Sequence, residues 1–313
     1  MKATILGNTN LNYSWFVLTY KQGLELLGYE VDCIDYKSNT LANIKNRLIS
    51  TKPDYCFTHL TFHGHINPID LVLQMYADVN KKVGTKFIHT LNDARHKDRY
   101  MNDISHAFHT AFVGNNACLD PCRKAWKIPV YLAPYSSLVY KNMAKPVPEL
   151  SFNEPVFTGT PGAHGPGSGY KDDRGKFIQM LQDRMPLKIF KTQSGQDLRH
   201  KTPELSVSAK CILGLCTGYD VDGYIDVRPF QYLGTGACMI MRKFKNMNKM
   251  IPDDLYYPFN DYKPQDADYV KETFDRIKTE DTTPMRKRAF DYIQQNHNCK
   301  IRIGEVLKRI NEV

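Results

Sequence analysis

The chain has 313 residues, 42% hydrophobic and 24% charged, a balance that fits a globular protein of two domains and excludes a disordered or fibrous one. No apolar run nears the roughly 20 residues that span a bilayer, and the N-terminus lacks the apolar core and cleavage site of a signal peptide. A cytoplasmic protein with no membrane partner is therefore expected. The net charge of +9 is spread over both halves without a basic tail, so it permits a polyanionic partner but does not demand one. The closest of the eight cysteines are Cys118-x3-Cys122 and Cys211-x4-Cys216, which lack the matched pairs of a zinc site and read as buried, reduced thiols.

In chain order, Ala3–Leu6 reads as a short apolar strand, Gly7–Asn10 as a turn, and Trp15–Leu27 as a helix with Phe16, Tyr20, Leu24 and Leu27 at helical spacing. Gly28 caps that helix, and Glu30–Asp35 is the next strand, completing a βαβ unit. The alternation continues through a helix at Leu41–Ser50, a strand at Tyr55–Leu60, a helix at Pro68–Asn80 and a strand at Lys86–Thr90, with later strands at Ala111–Gly114 and Pro129–Leu132. The stretch Ala144–Pro155, with three prolines, reads as a linker. A second α/β series follows: strands at Val156–Thr158, Leu187–Phe190, Ala209–Leu215 and Leu255–Tyr257, a helix at Lys176–Asp183, and a mostly helical C-terminal end. The fold class is α/β, with two Rossmann-like doubly wound parallel-sheet domains at residues 1–146 and 147–313 and a last helix able to pack back on the first. In such folds ligands bind at the C-terminal ends of the strands, here expected around a cleft shared by both domains.

Two loops of the second domain carry candidate chemistry. Residues Phe157–Gly169 follow a strand and precede a helix, and their glycines leave backbone amides open to a phosphate. The pattern is neither the dinucleotide nor the Walker fingerprint, and a plain surface loop remains open as its reading. Further on, Asp226 or Val227 marks a helix entrance and Pro229 suits the first helical position. Arg228 adds a full charge where the helix amides offer a partial one, which is the usual chemistry of a pyrophosphate site. Gln231, three residues on, is expected on the same side, with an amide suited to sugar hydroxyls. A capped core helix with a surface arginine is the alternative.

The run Gly223-Tyr224 through Arg228-Pro229-Phe230-Gln231-Tyr232-Leu233-Gly234-Thr235-Gly236-Ala237, followed by an apolar strand, resembles the donor-site motif of GT-B glycosyltransferases. The nearest likeness is to the spore-maturation CgeB-like family and its phage-encoded relatives. The likeness extends to Phe157–Thr160, Leu187–Phe190, Ala209–Leu213, Thr90–Arg95, Ala111–Gly114 and Leu132–Tyr135, in order and over most of the chain. Each motif alone is loose. At Gln231 the family has a glutamate, so a carboxylate that grips ribose hydroxyls is replaced by an amide without charge-assisted strength.

The resemblance implies transfer of a sugar from a UDP-type nucleotide donor to an acceptor hydroxyl, with no tightly bound cofactor and no divalent metal required. It implies donor-binding roles for Gly159, Thr160, Arg174, Tyr224, Arg228, Pro229, Phe230 and Gln231. Asp93, at the end of a first-domain strand, is the candidate base, with helix capping as the alternative. Tyr13, His63 and Arg95 are candidate acceptor contacts. His59, His63 and His65 lack a neighbouring acid and leave a strand for a loop, so no metal site is expected there. The phage-like character and the positive charge suggest DNA as acceptor, with a hydroxymethylated pyrimidine extruded to offer its hydroxyl. A surface saccharide or a small molecule is the alternative acceptor, and a non-catalytic GT-B protein that binds nucleic acid or nucleotide sugar the alternative class. A monomer in the cytoplasm, the host's if phage-encoded, is expected. A dinucleotide-dependent dehydrogenase is disfavoured because no GxGxxG follows the first strand.

Overall fold

The computed structural model describes residues 1–7, 15–59, 67–91, 104–159, 161, 173–190, 201–216 and 226–313. The chain divides into two compact units, Met1–Val139 with Cys299–Val313, and Tyr140–Asn298.

The first unit runs β1 (Lys2–Gly7), α1 (Trp15–Leu26), β2 (Glu30–Asp35), α2 (Leu41–Thr51), β3 (Tyr55–Thr58), α3 (Ile69–Val83), β4 (Lys86–Leu91), β5 (Thr110–Val113), α4 (Asn116–Trp126) and β6 (Val130–Leu132). The strands form one parallel sheet in the order β2-β1-β3-β4-β5-β6. The order reverses between β1 and β3, as in doubly wound folds. Strands β3 and β5 are buried along their whole length, which explains why they read as continuous apolar runs and not as alternating ones.

The second unit runs β7 (Val156–Thr158), α5 (Asp173–Gln182), β8 (Lys188–Phe190), α6 (Thr202–Ser208), β9 (Ile212–Gly214), α7 (Val227–Leu233), β10 (Met239–Arg242), β11 (Tyr257–Phe259), α8 (Pro264–Ile277) and α9 (Thr283–Asn296). Its parallel sheet has the order β11-β10-β9-β7-β8, with the switch point between β7 and β9. Phe157, Phe177, Leu181, Leu213, Ile240, Val270 and Phe274 form its core.

The chain then returns to the first unit as α10 (Cys299–Asn311). Ile303, Val306, Leu307 and Ile310 of α10 join Phe16, Tyr20 and Leu24 of α1 in one apolar cluster. The two helices approach closely at Gly23, where an added Cβ would lie 2.6 Å from the Ile303 side chain and 2.8 Å from the Cys299 carbonyl oxygen. The returning chain is pinned by a hydrogen bond of 2.7 Å from the Cys299 amide to the Ser137 carbonyl.

Helices α4 and α6 are additions to the sequence reading. Helix α4 contains Pro121, which argues against a helix locally; the Asn115 side chain caps it by accepting from the Cys118 amide at 3.0 Å, and Cys118, Cys122 and Trp126 bury its inner face. Helix α6 covers Thr202–Ser208 ahead of β9, so the strand there is limited to Ile212–Gly214. The proline-rich stretch lies within the second unit, with a short turn at Pro148–Leu150 and the Val147 amide donating to Ser208 Oγ at 2.8 Å. The units part instead at Val139/Tyr140.

Strand β4 carries a fully buried histidine. His89 packs against Trp126 and Phe108, with ring centroids 5.0 Å and 5.2 Å away. Burial, aided by nearby His59, pushes its pKa down to about 3. The unfolded chain takes up the proton near pH 6.5 while the folded one resists it, so this contribution to stability is full above pH 6.5 and is lost on acidification toward pH 3. The slope from this group is about 1.4 kcal/mol per pH unit below that point. Urea titrations between pH 7 and 4.5 are expected to show this slope in the wild type and its loss in His89→Phe; an unchanged slope would refute the assignment.

Candidate functional site

The site is built at the switch point of the second sheet, where β7 and β9 end side by side. Strand β7 closes at Thr158, and Gly159 follows with φ +142°, a conformation that side-chain-bearing residues rarely adopt. The Gly159 amide donates to the Phe190 carbonyl at 2.9 Å, fixing the turn. Beyond β9 lies Cys216, whose carbonyl accepts from the Tyr262 hydroxyl at 2.6 Å. Thr158 Oγ1 and the Tyr232 hydroxyl of α7 are hydrogen-bonded, tying the end of β7 to that helix.

Asp226 is the N-cap of α7, its carboxylate accepting from the Arg228 amide at 3.3 Å. The same carboxylate takes the Arg228 guanidinium, Nη1 to Oδ2, at 2.7 Å. Both side chains are largely out of water, 20% exposed for Arg228 and 14% for Asp226. Burial works against the charge on Arg228, yet Asp226 and Cys216 offset it, so its pKa stands above the ordinary arginine value. Burial first, and then the negative charge of nearby Asp226, push the Cys216 thiol up.

A second guanidinium converges on the same place. Arg174, in the first turn of α5, is buried at 6% exposure. Burial first, and the positive charge of Arg228 second, lower its pKa. Arg174 is thus near enough to Arg228 and Asp226 to feel the charge of both at this strand end. Gly159 is the third member: an added Cβ there would lie 2.9 Å from Arg228 Nη2. The missing side chain is what lets the turn pack this close to the guanidinium.

Of the described donor-site candidates, the structure thus gathers Gly159, Arg174 and Arg228. It does not gather Pro229, Phe230 and Gln231 with them. Pro229 and Phe230 are buried in the packing of α7, with the Phe230 ring 5.6 Å from His297. The Gln231 amide donates to Thr202 Oγ1 at 3.0 Å and is 6% exposed, so it joins α7 to α6. Thr160, Tyr224, Asp93, Tyr13, His63 and Arg95 lie outside the described residues. Sequence reasoning missed the clamping role of Asp226, for which the one signal was an aspartate two residues before an arginine at a helix start. Nothing local announced Cys216 or Tyr262.

Gly159→Ala is expected to displace the Arg228 guanidinium and strain the β7 turn, costing about 1 kcal/mol or more in stability. Affinity for pyrophosphate, read by calorimetry, is expected to fall with it. Wild-type affinity in this variant would show that the close approach is not used.

No protein-family model matches the chain, and no curated protein matches it either. Solved structures do. An alpha-glucosyltransferase in complex with UDP-glucose and DNA containing an abasic site superposes with a TM-score of 0.66 at 10% identity, covering 99% of each chain. The Anabaena protein Alr3699/HepE, in complex with UDP and glucose, gives 0.64 at 10% identity over 100% of both chains. A glycosyltransferase from Rickettsia africae ESF-5 gives 0.58 at 12% identity over 99% of this chain and 98% of that one. The chain has the GT-B fold. In this GT-B chain the two arginines stand at the switch point of the second sheet, where open α/β sheets bind ligands. Among the described residues no group of histidine, cysteine, aspartate or glutamate side chains is placed to hold a metal ion. No described helix is long and apolar enough to cross a membrane.

Proposed function

We propose that the protein is a glycosyltransferase that moves a sugar from a UDP-type donor to an acceptor hydroxyl. The observation that carries this reading is that two guanidinia, Arg174 and Arg228, stand near the Asp226 carboxylate at the β7/β9 switch point, beside the glycine turn at Gly159. The two guanidinia can meet a diphosphate and neutralise the charge that grows on the leaving nucleoside diphosphate. In the step, the bond between the sugar anomeric carbon and the diphosphate oxygen breaks, and a bond from that carbon to the acceptor oxygen forms. The acceptor proton passes to a base, for which Asp93, following β4, is the residue proposed. A role for the arginines in neutralising the leaving group makes a divalent metal unnecessary in this scheme.

The acceptor proposed is a hydroxymethylated pyrimidine in DNA. The net charge of +9 and the likeness to a glucosyltransferase bound to UDP-glucose and DNA support it. The motif likeness to CgeB-like proteins and phage relatives points the same way, with action in the cytoplasm as a monomer. Duplex DNA carrying hydroxymethylated pyrimidines, incubated with a panel of UDP-sugars, is expected to gain the mass of one hexose or pentose residue per modified base. No transfer with any donor would exclude the DNA acceptor. Hydrolysis of a UDP-sugar that is lost in Arg228→Ala would preserve the transferase with a saccharide or small-molecule acceptor. The Gln231 amide, engaged with Thr202, favours one further reading, a protein that binds nucleotide sugar without turnover. Donor binding with neither transfer nor hydrolysis would establish it.

A further inference from the structure

A cavity of about 240 Å³ lies in the first unit, whereas the arginine pair belongs to the second. Its floor is apolar: Phe112 at the end of β5, with Leu132 and Ala133 at the end of the edge strand β6. Its wall is the polar side of α10, where Arg302, Lys308 and Arg309 line it with Glu305 as the one acid among the described lining residues. With Glu312 paired to Arg309, two carboxylates among the described residues meet these three cations and leave one positive charge over.

The state of these cations distinguishes the cavity from an ordinary charged helix face. Arg302 is largely buried, with 14% of its side chain exposed, and burial lowers its pKa. It pairs with Glu305 through Nη1 at 2.5 Å, but its buried Nε has no hydrogen-bond partner among the described residues. A buried donor left in this state costs stability, and native structures rarely carry that cost without a reason. Arg309 pairs with Glu312 at 2.8 Å and stands over the Tyr131 ring at 5.6 Å. Lys308 makes no ion pair among the described residues.

We propose that this cavity is a binding site for a small organic anion, a phosphate or carboxylate carried on an apolar body. The anionic group meets Arg302 and Lys308, and the apolar body rests on Phe112, Leu132 and Ala133. The size of the cavity suits a ligand of about ten non-hydrogen atoms, well short of a nucleotide sugar. The site is independent of the donor reading, since none of its residues belongs to the second unit.

Calorimetric titration of the full chain with phenyl phosphate, benzoate and inorganic phosphate tests it. Phenyl phosphate or benzoate is expected to bind saturably at one site, and whichever binds more tightly identifies the anionic group. Inorganic phosphate is expected to bind at least fivefold more weakly, for want of the apolar body. Lys308→Gln, an exposed change that leaves the fold intact, is expected to weaken binding about tenfold, and Arg302→Gln more. Arg228→Ala is expected to leave it unchanged. Absence of saturable binding up to about 10 mM would overturn the proposal. So would equal affinity in wild type and Lys308→Gln, or loss confined to Arg228→Ala.

Discussion

Arg228→Ala is expected to weaken UDP binding by about 3 kcal/mol, more than a hundredfold, and to abolish measurable transfer. Two effects add. The guanidinium that meets the diphosphate is lost, and the Asp226 carboxylate that it neutralised at 2.7 Å is left facing the incoming phosphates. The loss is specific in kind. Affinity for pyrophosphate is expected to fall in parallel with that for UDP, whereas binding of uridine, which has no phosphate, stays where it was. Arg228→Lys keeps the charge but not the planar fork, and recovery in that variant is expected to be partial. Calorimetry with the three ligands reads all of this. Wild-type UDP affinity in Arg228→Ala would remove the diphosphate from this position.

Asp226→Asn is expected to cost about 3 kcal/mol of folding stability, an unusual amount for a nearly isosteric change. Helix capping does not account for it, because asparagine caps as well as aspartate. The cost arises because Arg228 loses the carboxylate that it meets at 2.7 Å while the charge of Arg174, 6% exposed, stays close by. This origin makes a second, sharper expectation. Pyrophosphate restores the missing negative charge, so it is expected to raise the melting temperature of Asp226→Asn more than that of the wild type. Equal ligand-induced shifts would mean that the carboxylate holds only the helix start and does not balance the two guanidinia.

Much of the fold was legible because parallel strands buried on both faces leave short continuous apolar runs, as at Tyr55–Thr58 and Met239–Arg242. Helix α4 was hidden by Pro121, whose local preference is overridden by the Asn115 cap and by burial of Trp126. In the site, Arg228 was legible from its place at a helix start followed by proline, and Arg174 from its place behind a glycine-rich loop. The reading of Gln231 went by helical spacing, which places it on the side of Arg228. Spacing cannot register that Arg228 folds back across the first turn to Asp226, or that Thr202 of a neighbouring helix claims the glutamine amide. Those facts are tertiary, as is the approach of Gly159 to the guanidinium from a strand seventy residues earlier in the chain.

The return of the chain through α10 makes the second unit, Tyr140–Asn298, an insertion in the first. The two ends that flank it are neighbours, since the Cys299 amide reaches the Ser137 carbonyl at 2.7 Å. A polypeptide ending at Val139 would lack the helix that covers α1 and would leave Phe16, Tyr20 and Leu24 without their partners. Severing the protein in two by a single cut is thus the wrong operation. The first unit is obtained by excision, with Val139 joined to Cys299 through a turn of a few residues, while the second comes away as one uninterrupted segment.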